Sequence, residues 1–284
     1  MTILPKISPK QESKKIIRFI KKTFREQRIE KAVIGLSGGI DSAVSFTLLT
    51  QAIKSKQIIV LYLPYSMSFF KKNDKNYQNI KKLLKKNRFP EKNFFVIPIS
   101  IPTEKILDKI KTAGLTTWKK LFYGANECFI CPNTSAKTKT RAGNVLARTR
   151  MIFLFDFAKK YDALVCGTEN KSEKLLGYFT RFGDAASDLE PISHLYKTQV
   201  RQLADYLKVP EKIINQSPTA GLWDGQTDES EFGFTYEEAD QVLYLYHDRS
   251  IDINKIKRDF PNAEKIIQRS LKNQFKLKTP YSLQ

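Results

Sequence analysis

The stretch from Ser37 to Ser42 combines glycines, hydroxyls and a carboxylate in the sequence SGGIDS. Gly38 and Gly39 tolerate positive φ and allow backbone N–H groups to approach a ligand closely. Asp41 offers the hard carboxylate oxygens that Mg²⁺ prefers. Together these residue types predict a site that binds a phosphate group and the magnesium ion that accompanies it.

The residues on either side of this stretch predict the elements that would hold it in place. Before it, the apolar and partly β-branched run from Ala32 to Leu36 is typical of a buried strand. After it, Asp41 and Ser42 open an apolar-periodic segment that is typical of a helix, whose positive N-terminal end would face the loop. The alternative is an ordinary Gly-Gly turn in which Ser37 or Asp41 caps the helix. No lysine follows the glycines, so this is not the GxxxxGK[ST] loop of nucleoside triphosphatases.

Strand and helix patterns alternate along the chain and predict an α/β fold. Parallel strands joined by helices require crossover connections, which gives a three-layer parallel sheet flanked by helices. A ligand then binds beyond the carboxyl ends of the strands, where the strand order reverses. This places SGGIDS and the loop that starts at Gly167-Thr168 on the same edge. The further strands are predicted at Gln57–Leu63, Asn93–Ile99 and Tyr161–Cys166, and the further helices at Ser13–Gln27, Asn73–Lys86 and Thr140–Lys159.

The composition is that of a globular protein whose 284 residues we expect to form a single domain, 1–284. It has 41% hydrophobic and 27% charged residues, and no apolar run approaches the roughly 20 residues that span a bilayer. The first residues lack the apolar centre of a secretory signal, and three cysteines do not make a disulfide framework. We therefore expect no membrane association and a cytoplasmic location.

The formal charge of +20 allows two interpretations. A nucleic-acid partner is one, because a basic protein attracts polyanions. Lysine-rich exposed helix faces are the other. Lysines are scattered and no arginine cluster is interleaved with aromatic residues, so the pattern favours the second interpretation over a nucleic-acid partner.

Residues 112–141 form the part of the chain that is hardest to classify, an atypical stretch like an inserted loop. Cys128 and Cys131 have the spacing of a metal knuckle, whereas a structural zinc site usually takes four ligands. Cys166 is the only other cysteine, and neither histidine has a partner at knuckle spacing. Zinc or an iron–sulfur cluster stays an alternative to a loop with two free thiols.

From Gly143 onward the chain contains several separated and specific motifs. With SGGIDS before them, they resemble the ammonia-dependent NAD synthetases of the PP-loop ATP-pyrophosphatase superfamily. That resemblance implies an adenine-nucleotide α-hydrolase-like fold and a C–N ligase that uses ATP and Mg²⁺. Deamido-NAD would be amidated by ammonia through an NAD-adenylate, with release of AMP and pyrophosphate, in a homodimer. The motifs are GNVLARTRM, GTENKSEKLLGYFTRFGDAASD and SPTAGLWDGQTDESEF.

The resemblance also assigns roles to individual positions. It implies that Asp41 and Glu173 bind the metal, and that Asp184 and Lys197 lie at the reacting groups. We expect Asp184, with Asp188 as the lesser candidate, to take a proton from ammonium. The implied contacts with deamido-NAD are Arg148, Arg181, Asp188, Phe275 and Lys276. The implied ATP contacts are Gly35, Leu36, Ser37, Gly38, Gly39, Ile40, Asp41, Ser42, Thr168, Lys197 and Thr219.

The chain departs from the family pattern at a few places. Arg181 stands where the family usually has lysine, which keeps the charge but changes the donor geometry. Phe275 stands where a histidine is expected. The loop from Leu115 to Arg141 is longer than expected. About 30 residues precede the first strand, too few for the glutamine-hydrolysing domain of some relatives, so free ammonia is the expected nitrogen donor.

Two other functions use the same loop. A PP-loop enzyme that thiolates tRNA would explain the basic charge and the cysteine pair. A non-catalytic nucleotide-binding descendant of the family would explain Phe275. The Gly- and Asp-rich loop Leu222–Phe232 is expected to close over the intermediate and exclude water.

Overall fold

The computed structural model describes residues 3–65, 74–112, 135–219, 227–278 and 281. Its centre is a four-stranded parallel sheet with the order β3-β2-β1-β4. The strands are β1 Lys31–Gly35, β2 Ile58–Tyr62, β3 Phe94–Val96 and β4 Ala163–Cys166. In the register of the sheet, Ala32 pairs with Ile58 on one side and with Leu164 on the other.

The described helices surround the sheet and continue beyond it. They are α1 Pro9–Gln27, α2 Ile40–Ala52, α3 Lys75–Lys86, α4 Ser100–Thr112, α5 Ala136–Tyr161, α6 Lys171–Leu176, α7 Lys197–Tyr206, α8 Glu211–Ile214, α9 Asp228–Phe232, α10 Tyr236–Leu243, α11 Ile253–Ile256 and α12 Ala263–Asn273. None of the helices in these ranges has the length and apolar character needed to cross a bilayer.

Strand residues alternate between two hydrophobic cores, which makes three layers. On β1, Ala32 and Ile34 pack into the core that holds α1, α2 and α7, while Val33 packs into the core that holds α4 and α5. On β2, Ile58 and Ile59 divide in the same way. Burial on both faces explains why the sequence shows continuous apolar runs, and the predicted three-layer sheet is confirmed.

The predicted elements differ from the structure mainly at their ends. Helix α5 begins before Thr140 because Ser135 caps it, its Oγ accepting from Thr138 N at 3.4 Å. Strand β4 begins later than Tyr161 because the helix continues through that residue and Asp162 then takes a left-handed conformation with φ 50°. That the chain forms a single domain stays a prediction.

The carboxyl edge of the sheet is where the strand order reverses. The chain goes from β1 to β2 on one side and later returns to β4 on the other. A third hydrophobic core, built mainly from α9 to α12, packs around Leu176 and Tyr196 near this edge. Past β4, residues 187–190 run along the sheet, with a parallel bridge between Leu189 and Cys166.

Candidate active site

The SGGIDS loop follows β1 and leads directly into α2. Gly38 has φ +87°, and a Cβ there would lie 2.8 Å from the Cβ of Asn76, so both conformation and space require glycine. The Ser37 Oγ accepts from Gly39 N at 3.2 Å, and the Ser42 Oγ donates to Gly39 O at 3.0 Å. Neither Ser37 nor Asp41 caps α2, because the N-cap is Gly39 and the helix has no side-chain cap.

Asp41, Glu173 and Lys197 meet beside this loop. The Lys197 Nζ lies 2.6 Å from Asp41 Oδ2 and 3.0 Å from Glu173 Oε1. The lysine is almost completely buried, with 3% of its side chain exposed, while the two carboxylates keep 17% and 15%. Residues that are 156 and 24 positions from Lys197 therefore form one charged group, as the sequence motifs predicted.

The charges in this group stabilise one another. Burial would lower the pKa of Lys197, but the carboxylates of Asp41 and Glu173 outweigh burial and raise it, so the lysine stays charged. Burial raises the pKa of Glu173 to about 8, against the opposing effect of Lys197. Glu173 therefore holds a proton more readily than an exposed glutamate does, and a further cation beside it would favour its ionised form.

The sequence did not identify Asn170, which holds this group in place. Its Nδ2 donates to Asp41 Oδ1 at 2.9 Å, and its Oδ1 accepts from Glu173 N at 3.0 Å, which caps α6. The Glu173 Oε2 accepts in return from Asn170 N at 3.3 Å. The N-x-x-E spacing of a capping box was the available signal for the helix start. The contact with Asp41 was not readable, because it joins distant parts of the chain.

The donor set of Asp41 and Glu173 fits a magnesium ion. Both carboxylates direct an oxygen toward the same cationic atom, and Mg²⁺ takes carboxylate oxygens of this kind. Within the described ranges, no cluster of three or more His, Cys, Asp or Glu side chains is arranged to hold a metal. Water and phosphate oxygens would complete the coordination, as is usual for Mg²⁺ beside a nucleotide.

A second group of acids follows β4. Gly167 leaves room for Glu190, since a Cβ there would lie 2.0 Å from Glu190 Oε1. The Glu190 Oε2 accepts from Glu169 N at 3.1 Å, and its Oε1 accepts from Ser187 Oγ at 2.6 Å. The side chain of Glu169 is buried, with 4% exposure, and neither oxygen has a hydrogen-bond partner among the described residues. Nothing in the sequence indicated this burial.

Asp184 lies beside these acids and is open to solvent. Its Oδ1 accepts from Thr180 N at 2.7 Å. Desolvation by the surrounding protein raises the pKa of Asp184, while hydrogen bonds and the charge of Arg150 oppose the rise. Asp188 is differently placed, because its Oδ2 accepts from Val165 N at 2.7 Å and fixes the loop to β4. Its contact with substrate stays a prediction.

Four of the five predicted deamido-NAD contacts lie together, close to Asp184, and Asp188 is not among them. Arg148 donates through Nε and Nη2 to Arg181 O at 3.3 and 3.1 Å. The Arg181 guanidinium lies 5.2 Å from the ring of Phe182 and 5.8 Å from that of Phe275, and both rings are exposed. Lys276 Nζ donates to two backbone carbonyls after α6 at 2.6 and 3.0 Å. These contacts join helix α5 to the helical turn Gln274–Lys276 that follows α12.

Thr168 and Thr219, the two threonines predicted to contact ATP, lie in different loops. Thr168 is half-buried directly after β4, in the same loop as Asn170. Thr219 is exposed, and the neighbouring Pro218 O accepts from Asp228 N at 3.0 Å. The expected covering loop falls partly on 220–226, which lie outside the described residues, as do Cys128 and Cys131.

A glycine loop at the end of a central parallel strand, with an acid pair and a buried lysine where the strand order reverses, defines a nucleotide-binding protein of the PP-loop class. The sequence model of NAD synthase matches residues 12–280. The chain therefore belongs to the NAD synthase family, and it is a ligase that forms a C–N bond.

Individual relatives agree with this family. The NH(3)-dependent NAD(+) synthetase of Fusobacterium nucleatum is 36% identical over 274 residues, which cover 95% of this chain and 94% of the relative. That of Thermoplasma acidophilum is 36% identical over 273 residues, covering 96% and 97%.

Solved structures give the same fold. The NMN synthetase of Francisella tularensis aligns with a TM-score of 0.76 and 30% identity, over 98% of this chain and 99% of that one. The NH3-dependent NAD synthetase of Campylobacter jejuni aligns with a TM-score of 0.69 and 28% identity, over 98% and 100%. The predicted family and fold class are confirmed.

Proposed function

We propose that this protein amidates the nicotinate carboxylate of deamido-NAD with free ammonia, using ATP and releasing AMP and pyrophosphate. The observation that carries the proposal is the meeting of Lys197 Nζ with Asp41 and Glu173, at 2.6 and 3.0 Å, beside the glycine loop. A triphosphate is bound by fixed cations and by a helix N-terminus, and the carboxylates would hold the Mg²⁺ that accompanies it.

In the first step the substrate carboxylate attacks the α-phosphorus of ATP. A C–O–P bond forms, the bond to the β-phosphate breaks, and pyrophosphate leaves with the electron pair. Backbone N–H groups of the SGGIDS loop and the ammonium group of Lys197 would hold the phosphates in line for attack. Asp41 and Glu173 would hold Mg²⁺, which when bound neutralises charge on the phosphates.

In the second step ammonia attacks the activated carbonyl, and AMP leaves to give the amide. Ammonium must first lose a proton, and Asp184 is our choice to accept it, with Asp188 as the lesser candidate. Asp184 is exposed, so a small substrate can reach it. Its raised pKa brings it nearer to neutral pH, where a general base works best. No side-chain nucleophile is required.

The substrate and the second subunit would share a surface. Deamido-NAD would be bound through charge and aromatic contact by Arg148, Arg181, Phe275 and Lys276.

A homodimer is supported by apolar side chains on the outer face of α5, where Ile152 is 61% exposed and Phe155 is 39% exposed. A cytoplasmic location is part of the proposal and is supported by the scarcity of cysteine.

The test is formation of NAD by the purified protein from deamido-NAD, ATP, Mg²⁺ and ammonium. We expect ammonium to support the reaction, glutamine not to replace it, and tRNA not to inhibit it. Asp41→Asn should lower kcat/KM by roughly 100-fold or more, because removing one oxygen ligand weakens both metal and phosphate binding. Asp205→Asn, at an exposed position on α7, is the matched control. Normal activity of Asp41→Asn would overturn the metal assignment.

A second candidate substrate is nicotinate mononucleotide. The relative from Francisella tularensis is an NMN synthetase, and Phe275 replaces the histidine expected of an NAD synthetase. The same chemistry would then act on a shorter molecule without the adenylyl half. Parallel assays with deamido-NAD and nicotinate mononucleotide distinguish the two candidates. A higher kcat/KM for nicotinate mononucleotide would make it the preferred substrate in place of deamido-NAD.

A further inference from the structure

Asp240 on α10 is a buried carboxylate without an assigned role. It has 0% exposure. Its Oδ1 accepts from the Ser172 Oγ, and its Oδ2 accepts from both Thr198 N and Thr198 Oγ1, each at 2.8 Å. Ser172 lies in the first turn of α6 and Thr198 in the first turn of α7. One side chain therefore joins the N-terminal turns of two helices.

Ser172 adds a direct link between the same two helices. Its Oγ, while donating to Asp240, accepts from Lys197 N at 2.8 Å. Ser172 precedes Glu173, and Thr198 follows Lys197. The contacts of Asp240 thus reach the immediate neighbours of both residues, whose carboxylate and ammonium atoms lie 3.0 Å apart.

We propose that Asp240 is a positioning residue, which sets the distance between Glu173 and Lys197 that magnesium-bound ATP requires. The inference rests on the proposed function, because that function gives these two residues their roles. Asp240 itself touches neither substrate nor metal. It acts through Ser172 and Thr198, as outer residues of metal sites commonly orient the inner ones.

The alternative is that Asp240 only stabilises the ends of the helices. Helix α6 does not require it for that purpose, since the side chain of Asn170 already accepts from Glu173 N and Glu173 bonds back to Asn170 N. Asp240 contacts the hydroxyl of Ser172 rather than a free backbone N–H of α6. That arrangement fixes one helix relative to another, which capping alone does not need.

The hydrogen bonds also keep Asp240 in the form that accepts them. Burial raises the pKa of Asp240 to about 6, and the bonds from Ser172 and Thr198 limit the rise. At neutral pH the group is therefore a carboxylate, and an amide of the same shape would present a donor where an acceptor is needed.

The experiment compares Asp240→Asn with Glu238→Gln. Both positions lie on α10, and Glu238 also binds the start of another helix, accepting from Asn262 N at 2.9 Å and from Asn262 Nδ2 at 2.7 Å. That contact leads to α12, away from Glu173 and Lys197. The control therefore changes a comparable carboxylate in the same helix without changing the link to α6 and α7.

Two measurements are made on the whole protein. The Kd of magnesium-bound ATP, measured calorimetrically without the second substrate, should rise roughly 10- to 100-fold in Asp240→Asn. It should not change in Glu238→Gln. Hydrogen exchange of the Thr198 and Lys197 amides in the ligand-free protein should accelerate in Asp240→Asn alone.

Each outcome is decisive. If both variants weaken ATP binding equally, or Asp240→Asn lowers only the melting temperature, the positioning role is wrong. If Asp240→Asn does not fold, Ser172→Ala removes the same link with less disturbance and must show the same increase in Kd. If the wild type binds magnesium-bound ATP but forms no amide from either nicotinate substrate, the proposed function fails, while the Kd comparison still judges Asp240.

Discussion

Two groups of acids lie at one rim of the sheet, and they differ in how their charge is compensated. Asp41 and Glu173 share the ammonium of Lys197 and are further oriented by Asn170. Glu169 and Glu190, a short distance along the chain, have backbone and hydroxyl contacts, and Glu169 has no partner at either oxygen among the described residues.

This difference predicts how each group contributes to the stability of the folded protein. A buried ion pair with good geometry is costly to break, because removing one partner leaves the other buried and uncompensated. A buried acid without a partner destabilises the fold from the start, and its loss should be tolerated. The two groups should therefore respond in opposite directions to neutralising substitutions.

The largest effect is expected from Lys197→Met. It removes the cation from a nearly fully buried group, so the free energy of unfolding should fall by roughly 3–5 kcal/mol, measured by urea denaturation. Lys257→Met is the control, because Lys257 pairs with Glu264 on an exposed surface, where a pair contributes about 0–1 kcal/mol. Equal effects of the two substitutions would contradict the comparison.

Gly167→Ala tests the second group through its packing. The new Cβ would overlap Glu190 and force it away from Glu169 N, which should cost about 1–3 kcal/mol. Gly35→Ala is the matched control for stability, since its Cβ would meet Leu154 at 3.4 Å, an ordinary contact. Thermal melting of both variants measures the difference, and similar melting temperatures would mean that Glu190 moves aside freely.

Glu169→Gln should raise stability, in contrast to Lys197→Met. Burial raises the pKa of Glu169 well above its usual value, so at neutral pH folding must either bury a charge or take up a proton. Glutamine has the same shape and avoids both costs, so we expect a gain of about 1 kcal/mol at neutral pH, measured by urea denaturation. Glu26→Gln, at an exposed position of α1, should change little. A clear loss of stability in Glu169→Gln would show that a partner compensates this carboxylate.

The smallest effect concerns pH. Burial raises the pKa of Glu190 above its ordinary value, so the folded state binds its proton more readily than the unfolded state. Its contribution to stability is present below the unfolded-state pKa and is lost as the pH rises through the folded-state pKa. Urea denaturation from about pH 4.5 to pH 8 should show this loss in the wild type and less of it in Glu190→Gln.

Glu91 is a reference with the opposite pH dependence, because its pKa is lowered and not raised. Its hydrogen bond to Lys81 lowers the pKa of the Glu91 carboxyl. That contribution is present above the unfolded-state pKa and is lost as the pH falls through the folded-state pKa. If Glu190→Gln and Glu91→Gln changed the pH dependence in the same direction, the inference that burial raises the pKa of Glu190 would be wrong.

The features that the sequence predicted correctly are those determined by local patterns of residues. Apolar β-branched runs bounded by glycine and proline gave the strands, and SGGIDS gave the loop, because both signals lie within a few residues. Family motifs brought Asp41, Glu173 and Lys197 together correctly. The contact of Asn170 with Asp41 and the contacts of Asp240 with Ser172 and Thr198 were not predictable, since each joins positions 42 or more residues apart. The burial of Glu169 was also not predictable, because acids are usually exposed.

The loop that carries the second acid group has a further consequence for the sheet. Leu189 O accepts from Gly167 N at 2.8 Å, and Val165 O accepts from Asp188 N at 2.9 Å, so 187–190 occupy the outer side of β4. An open strand edge is a template on which another chain can add itself. Here that template is already covered by residues from the same molecule. Changes that detach this loop are therefore expected to make the protein prone to self-association, whatever they do to its chemistry.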